Sequence, residues 1–168
     1  MGITIHFEGK LKQIKAVEKV VGAVRNFAEQ NNMPYAEFAE DNMLLKRVKD
    51  EKDWDYYSST IGIEIQPHEN TDPLRFEFDK NGYIQDYCKT QFADIEIHIK
   101  VVELLKQVES FFYDLIVVDE GEYWDASDVE LLADLFEDCF IAIEDAKQKN
   151  KKLTGPYRIN GRIIDLME

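Results

Sequence analysis

Cysteine is scarce: the chain has only two, Cys88 and Cys139. They show neither metal-ligand spacing nor a disulfide framework. Cys139 falls on an apolar helical face, the usual setting of an inert buried thiol. Basic residues are also few, with 20 Lys and Arg against 34 Asp and Glu and a net charge of −14. Such a field repels polyanions, so nucleic acid is not an expected partner. The apolar runs are too short to span a bilayer, and no membrane partner is expected. The chain opens directly into a strand pattern, without a basic stretch backed by an apolar run, so no signal peptide is expected. These features predict a reduced, cytoplasmic protein. A phosphate-cradling Gly-rich loop is missing, because Gly121 stands alone. A nucleophile elbow is missing too, and Ser58, Ser59, Ser110 and Ser127 have no base nearby in sequence.

What is present suffices for a core. The 168 residues are 45% apolar, which suits one domain over 1–168. Ile3, Ile5 and Phe7 alternate with polar residues as in a half-buried strand, leaving His6 on the polar face. Ile14, Val17, Val20, Val21, Val24, Phe27 and Ala28 repeat at helical spacing as far as Asn31-Asn32, with Pro34 beyond. Tyr35 to Ala39 is a candidate strand. Lys46 to Asp55, dense in mixed charge, reads as a solvated loop or short helix. Trp54, Tyr56 and Tyr57 read as packing over one end of the core.

Ile61, Ile63 and Ile65 mark a strand, and Leu74, Phe76 and Phe78 mark another. Asn81-Gly82 predicts a tight hairpin with Tyr83 to Tyr87 returning. A helix is expected from about Phe92 to Glu109. Leu115 to Val118 reads as a strand covered on both sides. Ser127-Asp128-Val129-Glu130 matches a capping box, opening a helix whose stripe is Leu132, Leu135, Phe136, Cys139, Ile143 and Ala146. The tail over 150–168 offers a second small hairpin. The predicted fold is α+β: a two-layer sandwich of a mostly antiparallel sheet with three main helices largely on one face.

Strand parity then gathers the polar motifs. If the strands run up and down in succession, His68, Lys89, Thr90, Gln91, Asp119, Glu120, Glu122, Tyr123 and Trp124 share one rim. His98 lies on the buried face of its helix, where a histidine is most often neutral and hydrogen-bonded. A sharper alternative makes it a ligand or general base oriented by Asp119 or Glu120. The acids likewise have two readings. Either they hold a divalent metal with His68 or His98, or they serve structure, with Asp119 paired to Lys89 and Trp124 packed as a lid.

Four blocks carry a resemblance. They are Gly2-Ile3-Thr4-Ile5-His6-Phe7, Pro67-His68 through Phe78-Asp79, Lys89-Thr90-Gln91-Phe92-Ala93 with His98, and Asp119-Glu120-Gly121 through Tyr123-Trp124 to Asp128. In these the chain resembles a family of small bacterial proteins with no assigned activity. It departs from that pattern at Asp125-Ala126, where Glu-Thr is usual, and at Asp94, where Gly is usual. The resemblance implies a shared rim and no particular reaction.

Three functions remain in play. The leading one is a non-enzymatic interaction module whose acidic and aromatic rim docks a basic protein, with His68, Lys89, Gln91, Glu122, Tyr123 and Trp124 as binding residues. The alternative is a metal-assisted hydrolase with His68, His98, Asp119 and Glu120 as ligands or acid–base groups and Lys89 and Gln91 steadying an oxyanion. The third is a small-ligand binder with Tyr123 and Trp124 as a stacking wall.

Overall fold

The computed structural model describes residues 2–168. The fold is α+β. Strand β1 (Thr4–Lys10) leads to α1 (Val17–Gln30), then β2 (Tyr35–Lys49), β3 (Lys52–Ile65), β4 (Leu74–Phe78) and β5 (Tyr83–Lys89). Helix α2 (Ile95–Val108), β6 (Ile116–Asp119), the short α3 (Tyr123–Ala126), α4 (Val129–Lys149), β7 (Tyr157–Ile159) and β8 (Arg162–Ile164) complete it. The strands form sheets ordered β5-β1-β6, β2-β3-β4 and β7-β8, with every ladder antiparallel. The first two sheets meet through the β4–β5 hairpin, where Asp79 N donates to Tyr83 O at 3.0 Å and Asp72 N to Lys89 O at 3.0 Å.

The core follows from the periodicities. Helix α1 supplies Val20, Val24 and Phe27, α2 supplies Val101, Leu104, Leu105 and Val108, and the strands supply Ile5, Phe7, Ile63, Phe76, Phe78 and Ile84. A satellite cluster of Ile3, Leu132, Phe136, Cys139 and Ile143 lies beneath α4.

Four expectations need correction. The stretch read as a charged loop or short helix is the end of a long hairpin arm. Leu45 and Arg47 are buried while their neighbours face solvent, so an alternation was present, with an arginine in an inward position. The arm turns at Asp50 and Glu51, both left-handed (φ 52° and 63°), and glutamate is not a residue type that announces such a turn. Strand β6 is covered on one side only: Ile116 and Val118 are 50% and 58% exposed. At the β4–β5 turn only Gly82 is left-handed, and Asp79 organises the loop by accepting from Asn81 N and Tyr83 N. Helix α4 is capped by Asp128, whose carboxylate accepts from Leu131 N at 3.1 Å. Ser127, one residue earlier, is left-handed and cannot take that role.

The arm is riveted to the body by Arg47. Its guanidinium donates to Tyr56 Oη at 2.7 Å, Glu77 O at 2.6 Å and Tyr83 O at 3.1 Å, and lies 3.7 Å from Asp79. Burial and a hydrogen bond to Asp79 push the Tyr56 phenol up to about 12. Trp54 stacks on Tyr56 with centroids 4.7 Å apart, so these rings pack over one end of the sheet. Tyr57 points outward, at 66% exposure.

Candidate functional site

The up-and-down topology does return the chain to one edge. In the β1 ladders Thr4 faces Lys89 and Ile5 faces Asp119, so the ends of β5 and β6 flank the start of β1. The side chains delivered there do not line a common cleft. They form a buried polar lock, with the remaining side chains scattered around it.

The lock centres on His98, fully buried in α2. Its Nδ1 lies 2.6 Å from Thr90 Oγ1, and its Nε2 lies 2.9 Å from Asp119 Oδ1. The second contact is close but out of line for a good hydrogen bond, and Nε2 has no other partner. The carboxylate favours the proton on Nε2, which leaves Nδ1 to accept from the Thr90 hydroxyl. Asp119 also accepts from Gly121 N at 2.7 Å and Trp124 N at 2.9 Å. Burial pushes its carboxyl up, but His98 and these two N–H groups outweigh that and hold it below the usual carboxylate range. A Cβ at Gly121 would stand 2.7 Å from Leu132 Cδ1 and 2.9 Å from His98 Nε2, so the ring requires glycine there. Phe136 closes the far side edge-on to the imidazole, with centroids 5.7 Å apart.

The remaining rim residues are dispersed. Trp124 is buried under Lys106, whose Nζ sits 3.7 Å from the ring centroid. Tyr123 is half-buried against both hydrophobic clusters. Neither ring offers a stacking wall, and Glu122 alone of that trio is exposed. Gln91 is buried and accepts from Ile3 N at 2.5 Å. Lys89 pairs with Asp165 of the tail at 2.7 Å, not with Asp119. Glu120 faces His6 at 3.4 Å. His68 is turned away: its Nδ1 accepts from Asn70 N at 3.0 Å, and it shares a shallow surface with Pro34, Ile97 and Lys100. The expectation that His68 joins His98 and Asp119 therefore fails, because the Pro67–Pro73 turn curls over the flank of α2 opposite the imidazole. Among the described residues no three His, Cys, Asp or Glu side chains converge as a metal site.

A groove lies elsewhere, on the outer face of the β5-β1-β6 sheet. The arm tip bends over this face and leaves a groove of about 480 Å³. Its floor carries His6, Tyr87, Ile116 and Val118. Its rim carries Glu8, Asp50, Glu51 and Asp86 against the single Lys46. Gln85 holds the arm in place, with its side-chain amide accepting from Val48 N at 2.7 Å and donating to Val48 O at 2.8 Å. At the margin, Arg162 of the tail lies 4.3 Å over the Tyr87 ring. It donates to Asp86 Oδ1 at 2.6 Å and to Tyr87 O at 2.7 Å. Burial pushes the Asp86 carboxyl above its ordinary value despite this arginine. Sequence reasoning passed over this face because the run Ile116-Val117-Val118 reads as buried whichever side is open. The one available signal was the polar set His6 and Glu8 on β1.

No family model, curated protein or solved structure matches the chain. The fold and these geometries are therefore what a functional reading must rest on.

Proposed function

We propose that this chain is a non-enzymatic binding module, and that its groove on the outer face of the β5-β1-β6 sheet takes a basic, apolar-flanked segment of a partner protein. The observation that carries this reading is Arg162. The chain's own guanidinium stacks on Tyr87 and is bound by Asp86 and a backbone carbonyl, an arrangement suited to arginine and poorly met by lysine. Across β1 from Tyr87, exposed Ile116 and Val118 on β6 give an incoming segment apolar surface. The excess of rim carboxylates, within a chain of net charge −14, steers cationic partners. This moves the docking surface of the leading hypothesis from the Trp124 loop to the opposite side of the sheet. The hydrolase reading has weaker support, since its four side chains are split among three places.

The same reading favours a reducing compartment such as the cytoplasm, because both thiols are free and buried. No helix among the described residues is long and apolar enough to cross a membrane.

The test uses defined peptides. Labelled protein is titrated with a peptide of about ten residues alternating arginine and valine, and with a glutamate–valine counterpart. Amide shifts at His6, Tyr87, Ile116 and Val118 are expected with the first only. They should weaken as salt rises and vanish in Val118→Lys, which removes apolar surface and repels the peptide. Equal shifts with the acidic peptide, or none with the basic one even in Arg162→Gln, which frees Tyr87 and Asp86, would remove the reading.

A further inference from the structure

The tail after α4 is attached in an unusual way. Of its hairpin, β7 is wholly exposed, and in β8 only Ile163 is buried. A two-stranded hairpin of this size is marginal on its own, and its apolar anchorage here is thin. Polar contacts hold it instead. Arg158 donates to Glu69 O at 2.6 Å and Thr71 O at 2.8 Å. Asp165 pairs with Lys89. Ile163 N donates to the buried Asp72 carboxylate at 2.7 Å. Arg162 contributes the three contacts on Tyr87 and Asp86 described above.

Two residues, Asp86 and Tyr87, thus belong both to the groove wall and to the anchorage of the tail. The tail presents to them the chemistry that the groove would recognise in a partner. We propose that the β7–β8 hairpin is an autoinhibitory strap, which holds Asp86 and Tyr87 in cis until a basic segment of a partner takes the place of Arg162. This rests on the binding role argued for the groove. The exchange is one guanidinium for another, so the body meets the partner nearly preformed. With the strap lifted, Asp86 keeps the donation from Tyr87 N at 2.7 Å, and Asp72 keeps that from Lys89 N at 3.0 Å. The partner's apparent affinity is its intrinsic affinity scaled by the fraction of molecules with the strap open. Each charged hydrogen bond that closes the strap lowers that fraction several-fold.

The experiment measures the affinity of the arginine–valine peptide for the full chain and for three variants. Arg162→Gln should bind roughly tenfold or more tightly than wild type, with Arg162→Lys in between. Arg158→Gln loosens the strap at the Glu69 and Thr71 carbonyls without touching Asp86 or Tyr87. It should also tighten binding, and it keeps the test decisive if Arg162→Gln folds poorly. In wild type, saturating peptide should speed amide exchange across Tyr157–Ile164. Equal affinities with unchanged tail exchange would overturn the strap and leave the groove standing. Failure of every form to bind the peptide would overturn both.

Discussion

At the residue scale, the His98 lock explains why several polar side chains are buried together. A histidine with an aligned partner on one nitrogen, and a carboxylate pressed to the other, is held in one tautomer while the acid is stabilised as an anion. Asp119 therefore links folding to pH. Its folded-state value is depressed, so its stabilisation is fully present above the ordinary carboxylate value of about 3.9. That stabilisation is lost as pH falls through the depressed folded value. Asp119→Asn should remove this part of the acid limb in urea titrations taken between neutral and strongly acidic pH; an unchanged limb would contradict the assignment. Gly121→Ala drives a methyl into Leu132 and the imidazole and should destabilise by about 1–3 kcal/mol, read from the shift in the urea midpoint. The pairing of His98 with Asp119 was one of the alternatives legible in the sequence, through helix phase and strand parity. The partner of Lys89 was not, because Asp165 lies 76 residues away in a tail with no periodic signal.

At the scale of elements, strict alternation and clean helical stripes were readable, and the failures in the β2–β3 arm come from charged residues in structural positions. The β2–β3 arm alternates, but Arg47 occupies an inward position that a binary pattern scores as polar. Its burial makes sense only once Tyr56, Asp79 and two carbonyls surround it. The turn at its tip is equally opaque, since Asp50 and Glu51 adopt a conformation that asparagine and glycine favour. That conformation costs a non-glycine residue roughly 1–2 kcal/mol. Glu51→Gly should therefore raise stability, by about 1 kcal/mol once the greater freedom of glycine in the unfolded chain is deducted. A calorimetric melting temperature that falls instead would show that the Glu51 side chain makes a compensating contact. The cap of α4 offers a second check, because Asp128→Ala should cost about 1 kcal/mol, whereas Ser127→Ala should cost far less.

At the scale of the whole molecule, the apolar interior is divided. The main cluster joins α1, α2 and the strands of both large sheets, whereas α4 rests on a satellite of five buried side chains. The tail follows α4 and adds little apolar burial. Units with few buried contacts open at lower free energy than the global transition, so α4 and the tail should form a less stable cooperative unit than β1, β5 and α2. Phe136 is the hinge of this arrangement, packed in the satellite cluster yet edge-on to His98. Phe136→Ala should remove about 3–5 kcal/mol locally and strip amide protection from α4. The amides of Ile5, Phe7 and Ile84 should keep most of theirs. Native-state hydrogen exchange resolved by residue makes the measurement. If protection falls uniformly across helix and sheet, the two clusters unfold as one body.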